Sequence, residues 1–345
     1  MEKFYYIFTP IVIFYINSFF KKKKIISNYL GNNHQKFLGE KSIPLAGGIY
    51  LIFFIILVLK DNYLTLYYFL FLLFLTGFSS DTKFISSPTK RLIIQALLTI
   101  FFVYFLNLYI SETRVIFIDT LLVNLYFSIF FSCFCLIILM NGSNFIDGLN
   151  GLVLGYYLIV LIIIYNLNLF KYLNIDSNLI YYILYLIFIL FIFNLFNLFY
   201  LGDSGTYSLS TFVGSILIII YNQNQTFSPF FVVLLLWYPC FENLFSIIRK
   251  FKIKKSPIHA DNNHLHQLIF YSFKKKFKTS NIISNNCSSL MINLYNLVIL
   301  SLGSLNIFNT QFLTFLIILN IFIYTIIYIK LFRYKYKIIQ NFKNK

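Results

Sequence analysis

The sequence predicts an all-α fold: a polytopic transmembrane bundle of about eleven spans, with the N-terminus periplasmic and the C-terminus cytoplasmic. Three observations carry that expectation. Hydrophobic residues make up 59% of the 345 positions and charged residues only 11%, against about 25% charged in average usage. The apolar residues fall in long runs, each close to the ~20 residues that a helix needs to cross the hydrocarbon core. Lys and Arg gather in alternate connecting stretches, the asymmetry that orients membrane spans. This composition excludes a water-soluble globule, which could not cover its own surface. It equally excludes disordered, collagen-like and disulfide-stapled chains.

The runs follow one another in order. Phe4–Phe20 comes first and ends in Lys21-Lys22-Lys23-Lys24; no small-residue cleavage site follows it, so it reads as a span and not a signal peptide. Ile43–Leu59, Tyr63–Phe78, Leu92–Ile110, Leu121–Met140 and Leu152–Phe170 come next. Leu179–Leu201, Tyr207–Tyr221, Phe227–Ile248, Leu290–Phe308 and Phe312–Ile329 complete the set. Tyr207–Tyr221 is short and bears Ser and Gly, which makes it the weakest of the eleven. With eleven spans, the stretches after odd-numbered runs share one side. That side holds all 28 Lys and Arg except Lys3, Lys60, Arg114 and Lys171, and positive charge marks the cytoplasm. The chain therefore reads as a single integral-membrane domain, 1–345, with a basic cytoplasmic loop at 249–289 and a short basic tail at 330–345. Anionic lipid headgroups account for these basic segments, and nucleic acid is not an expected partner.

Cys133, Cys135, Cys240 and Cys287 lack a metal-ligand spacing and read as small buried hydrophobes. The rarer ionisable residues sort by the same parity. His34, His259, His264 and His266 fall on the cytoplasmic side, as do Asp81, Asp147, Asp203, Glu242 and Asp261. The loops at Asn141–Asn150 and Gly202–Gly205 are short and carry carboxylates but no basic residue. Ionisable groups at the membrane are costly and usually functional. Their convergence on one face points to a metal or phosphate site, in an enzyme or a transporter acting on an anionic ligand.

Four stretches carry the specific signal. The first is Gly77-Phe78-Ser79-Ser80-Asp81-Thr82-Lys83, with Lys90, Arg91 and Gln95 after it. The second runs from Asn141 through Asn144 and Asp147 to Gly151. The third is Gly202-Asp203-Ser204-Gly205. The fourth is Ser256-Pro257-Ile258-His259-Ala260-Asp261-Asn262-Asn263-His264-Leu265-His266. Each alone is weak, because Gly, Asn and Asp are common turn residues; in this order, on successive cytoplasmic stretches, they are specific together. They resemble the polyprenyl-phosphate N-acetylhexosamine-1-phosphate transferase superfamily, glycosyltransferase 4 type. The likeness is to the undecaprenyl-phosphate GlcNAc-1-phosphate transferase-like branch more than to the phospho-N-acetylmuramoyl-pentapeptide transferases. Pro44-Leu45-Ala46-Gly47-Gly48 is similar to the family's P-x-x-G-G opening of the second span, and the resemblance runs from about residue 36 to 268. Four positions depart from the pattern: Ser80 replaces the first Asp of an Asp-Asp pair, Asn150 an Asp, Gln267 a His and Asn262 an Arg.

The resemblance implies a Mg2+-dependent transferase (Mn2+ serving as a substitute) that moves HexNAc-1-phosphate, most simply GlcNAc-1-phosphate, from a UDP-sugar to undecaprenyl phosphate. UMP is released, and the reaction initiates a surface glycan such as O-antigen in cell-wall or lipopolysaccharide biosynthesis. It implies a bacterial inner-membrane protein with its active site on the cytoplasmic face, a homodimer being one assembly open to it. Asp203 and Asp147 are then the expected metal ligands, and Asp81, His264 and His266 the catalytic residues. Lys83, Arg91, Asn141, Asn144 and Asp147 are expected to bind substrate. Blander roles stand beside these. Asp203 would also serve as an N-cap for the eighth span, Asn144 and Asp147 as an Asx-turn opening the sixth, and Lys83 and Arg91 as snorkelling basic residues. The competing function is a polytopic transporter of an anionic solute. Transporters tend to show internal repeats and mid-membrane sites; the sequence shows no such repeat, and these carboxylates lie at span ends.

Overall fold

Backbone surrounded by hydrocarbon must satisfy its own hydrogen bonds, which leaves helices as the economical solution for apolar runs of this length. The computed structural model describes residues 2–26, 43–56, 64–173, 176–252, 254 and 263–343. His34, Lys36, Lys41, His259, Asp261 and the stretch 256–262 lie outside the described residues. The helices are α1 (Glu2–Lys23), α2 (Gly47–Ile56), α3 (Leu64–Asp81), α4 (Pro88–Phe105), α5 (Ile116–Leu122), α6 (Leu125–Ile146) and α7 (Leu152–Asn166). They continue as α8 (Ser177–Leu195), α9 (Gly202–Gln223), α10 (Pro229–Leu235), α11 (Trp237–Lys252), α12 (Leu265–Phe277), α13 (Asn281–Ser304) and α14 (Thr310–Lys343). No sheet occurs among the described residues. Six helices, α4, α6, α8, α9, α13 and α14, are long and apolar enough to cross a membrane. The pair α10 and α11 makes a seventh crossing, bent by 74°.

Each apolar run coincides with a helix or with that bent pair, but three boundaries differ from expectation. Residues 249–289 are not a plain loop. They contain α12, which buries Leu265, Leu268, Ile269 and Phe270 and ends in Lys274, Lys275 and Lys276. They also contain the start of α13, capped by the Ser280 hydroxyl accepting from Ile283 N. The tail at 330–345 continues α14 as far as Lys343. The fifth run begins late, at Leu125 behind the Asn124 cap, and continues to Ile146. Asn141 and Asn144 therefore sit on helical turns and not in a loop. Of the cysteines, only Cys133 is buried; the other three are half-buried.

The largest departure concerns the weakest run. It becomes α9, the most enclosed of the six long helices, with 18 of its 22 residues buried, chiefly against α3, α6 and α2. Its Ser and Gly content follows from that position. Small residues let helix backbones approach closely where no lipid intervenes. Ser208, Ser210 and Ser215 donate their hydroxyls to the carbonyls of Ser204, Thr206 and Thr211 at 2.9, 2.6 and 2.7 Å, which satisfies those three donors inside the helix. A Cβ on Gly77 of α3 would stand 2.5 Å from Ser204 N and 2.6 Å from the Asp203 carbonyl carbon. One on Gly48 would stand 2.6 Å from Gly205 N. The Gly47-Gly48 pair and Gly77 are therefore the surfaces on which the start of α9 rests.

The far end of the bundle explains one of the four basic residues that break the charge pattern. Arg114 Nη1 donates to Thr310 Oγ1 at 3.1 Å, and Nη2 donates to the carbonyls of Gln225, Thr226 and Phe227 at 3.0, 3.0 and 3.2 Å. It ties the connection between α9 and α10 to the start of α14.

Candidate active site

The site is built on the first turn of α9. A helix N-terminus exposes backbone N–H groups without intrahelical partners and carries positive potential. Here the capping oxygen comes from a distant helix. Asp81, the last residue of α3, accepts from Asp203 N at 2.9 Å and Ser204 N at 3.1 Å, and takes the Ser204 hydroxyl at 2.7 Å. Gly202 holds φ at +76°, and a Cβ there would meet the Asp81 carboxylate at 2.7 Å, so a glycine is required at that step. With Asp81 supplying the cap, the Asp203 side chain is not needed as one. Its Oδ2 accepts from Arg91 Nη1 at 2.7 Å and from the Ser80 hydroxyl at 2.5 Å, while Arg91 Nη1 also donates to Ser80 Oγ at 2.5 Å. Both members of the Arg91–Asp203 pair remain partly solvated, so it contributes only about 0–1 kcal/mol to stability.

Asp147 sits just past α6 and accepts from the Gly202 N–H. Burial first, and then the charges of Asp203 and Asp81, push its carboxyl well above the usual carboxylate range. Asn144, one turn earlier, donates to the Tyr207 hydroxyl at 3.1 Å. Asn141 lies deeper and donates to Gln95 Oε1 at 3.1 Å. Neither Asn144 nor Asp147 makes the Asx-turn that the sequence left open.

The histidines approach from α12. His264 precedes its first residue, and the His264 ring lies 5.1 Å from that of Phe145 and 5.7 Å from that of His266. His266 is fully buried, with its ring against Gly148, where a Cβ would fall 2.6 Å from Nε2. The end of α6 thus joins the imidazoles to the carboxylates. Asp81, Arg91, Asn144, Asp147, Asp203, His264 and His266 gather at one end of the bundle, with Asn141 a turn deeper. Lys83 stands exposed on the turn after α3, two residues past Asp81, at φ +62°.

Among the described residues, no three His, Cys, Asp or Glu form a ready-made metal cage. A magnesium-class ion keeps several waters and uses one or two carboxylates together with substrate phosphates, so it does not require such a cage. Three carboxylates around one helix end with a single guanidinium bonded among them leave negative charge for such a cation to neutralise.

The departures from the family pattern have structural partners. Ser80 bridges Arg91 and Asp203. Asn150 takes Asn197 and Asn285 as partners, at 3.1 and 2.8 Å. Gln267 accepts from His264 N at 3.2 Å, and Asn262 lies outside the described residues. Sequence reasoning assigned no site role to Ser204, Tyr207 or Glu242, although Glu242 stood among the ionisable residues of the cytoplasmic face. Only Glu242 left a signal, as the one acidic residue inside any of the eleven apolar runs.

Fold and site together describe a multi-pass membrane protein with carboxylates, an arginine and two histidines gathered at one end of its helices. The sequence model of glycosyl transferase family 4 matches residues 63–221, a segment that includes Asp81, Arg91, Asp147 and Asp203. The undecaprenyl-phosphate alpha-N-acetylglucosaminyl 1-phosphate transferase of Thermotoga maritima is 24% identical over 257 residues, covering 74% of this chain and 77% of the relative. Both likenesses support the polyprenyl-phosphate N-acetylhexosamine-1-phosphate transferase superfamily, on the side of the GlcNAc-1-phosphate branch.

Proposed function

We propose that the protein transfers a HexNAc-1-phosphate, GlcNAc-1-phosphate foremost, from a UDP-sugar to undecaprenyl phosphate, releasing UMP and initiating a cell-surface glycan such as an O-antigen. The meeting of separately spaced motifs on the N-terminus of α9 carries this reading. Arg91 and two imidazoles gathered at the start of α9 suit two anionic reactants. An oxygen of the lipid phosphate forms the new bond to the sugar-bearing phosphorus. The bridging P–O bond breaks, and its electron pair leaves on UMP. A phosphate monoester loses its second proton near pH ~6, so the nucleophile is already ionised at neutral pH and needs orientation more than a base. Asp81 holds the first turn of α9 in place, Arg91 offers donors to the diphosphate, and Asn144, steadied by Tyr207, faces the nucleotide. His266, and His264 when its ring carries a proton on both nitrogens, supply donors to the leaving diphosphate. A Mg2+ ion, or Mn2+, held by Asp203 and Asp147 would neutralise charge as the diphosphate breaks.

The test is UMP release by the detergent-solubilised protein with undecaprenyl phosphate and a panel of UDP-GlcNAc, UDP-GalNAc, UDP-QuiNAc and UDP-FucNAc. Release with one donor is the expected result. Release with none removes the transferase reading and leaves anionic-solute transport.

The reading includes a single eleven-span domain in a bacterial inner membrane, N-terminus periplasmic and site cytoplasmic. A reporter fused after Lys345 is expected to be cytoplasmic, and one inserted near Gln223 periplasmic. Finding both on the same side would break the span count.

A further inference from the structure

Glu242 lies on α11, only 1% exposed, in the middle of an apolar run. An isolated charge there is expensive and persists where it has partners and a task. Its partners come from two other elements. Oε1 meets His264 Nδ1 at 2.9 Å and accepts from Leu265 N at 3.3 Å; Oε2 accepts from the Tyr324 hydroxyl of α14 at 2.8 Å. Nothing in the transfer reaction as described uses Glu242.

We propose that Glu242 is a positioning residue: it fixes the His264 ring and its tautomer for the sugar-nucleotide diphosphate, and Tyr324 locks Glu242 in turn. The proposal rests on the transferase reading. An ionised carboxylate only accepts hydrogen bonds, so Nδ1 of His264 must carry a proton. The Nε2 face is then set by a group that never touches substrate, as outer carboxylates set metal-bound and catalytic imidazoles elsewhere. Two further contacts narrow the ring's freedom, the rings of Phe145 and His266. The Leu265 N–H adds a hinge at the same oxygen, so one carboxylate places both the start of α12 and its first imidazole.

Glu242→Gln retains the shape and an acceptor for Tyr324 but presents an amide N–H2 to Nδ1, which reverses the tautomer. Two readouts are combined on the full chain in detergent. Imidazole 15N spectra of 15N-His protein, which holds only four His, are assigned with His264→Asn. UMP release is resolved into kcat and KM for each substrate. The expected result is a shift of His264 from Nδ1–H to Nε2–H. A 10–100-fold fall in kcat should accompany it, with KM for undecaprenyl phosphate unchanged. If Glu242→Gln does not fold, Tyr324→Phe is read instead, with a several-fold fall in kcat and a broadened His264 signal. An unchanged tautomer, or a loss that only tracks the folded fraction, overturns the proposal. If the wild type releases no UMP, the transferase reading fails, and the nitrogen spectra still decide whether Glu242 sets His264.

Discussion

Asp203→Asn is expected to lower transfer by about 10³-fold while the protein remains folded. The structural cost is small because the bond to Arg91 is partly solvated, and removing such a pair costs about 0–1 kcal/mol. The chemical cost is large. The amide keeps the side chain's shape but removes the formal charge that faces Arg91 and any hard cation at the helix end. EDTA should silence the wild type, and added Mg2+ should restore it. Turnover within about tenfold of wild type, measured as UMP release per folded molecule at ordinary magnesium, would take Asp203 out of the metal role.

Asp81→Asn is expected to lose both stability and activity, by different mechanisms. As the cap of α9, Asp81 satisfies two backbone donors and a hydroxyl with two oxygens. An Asn has one oxygen and would turn N–H2 toward a donor. Loss of a cap costs about 0.5–2 kcal/mol, visible as a lower thermal midpoint. Activity per folded molecule should fall further, by 10²-fold or more, because the first turn of α9 carries Asp203 and displacement there misplaces the reacting groups. Alkaline buffer should not rescue it, since the role is positional. Recovery near pH 9 would make Asp81 a general base instead, and normal activity per folded molecule would reduce it to a cap.

The sequence made the helical class and the order of helices legible, because apolar run length and basic flanks are direct consequences of the bilayer. It placed Asp81, Arg91, Asp147 and Asp203 together, since parity put them on one side. What it concealed were partnerships between distant residues. Nothing in Ser80-Asp81 announces that Asp81 caps a helix beginning at Gly202, so the capping role went to Asp203 instead. Lys83 and Arg91 looked alike as basic residues after the third span. Arg91, on α4, bonds Asp203, whereas Lys83 stands exposed on a left-handed turn. The basic stretch 249–289 hid α12 because Lys274–Lys276 dominate its composition, although Leu265, Leu268 and Ile269 keep a helical spacing. Glu242 was visible as an oddity, and only the approach of His264 and Tyr324 gives it a purpose.

The enclosure of α9 also bears on how the protein is made. A helix of such modest apolarity, lined with Ser and Thr hydroxyls, gains little from bare lipid and much from protein neighbours. Its main neighbours, α2, α3 and α6, all precede it in the chain. When α9 leaves the ribosome, the walls of its slot are already in the membrane. The catalytic end can therefore close as synthesis reaches Gly202, well before α12 brings the histidines. Biogenesis and catalysis thus share a keystone, and a change at Gly77 or Gly48 would register first as protein that fails to accumulate.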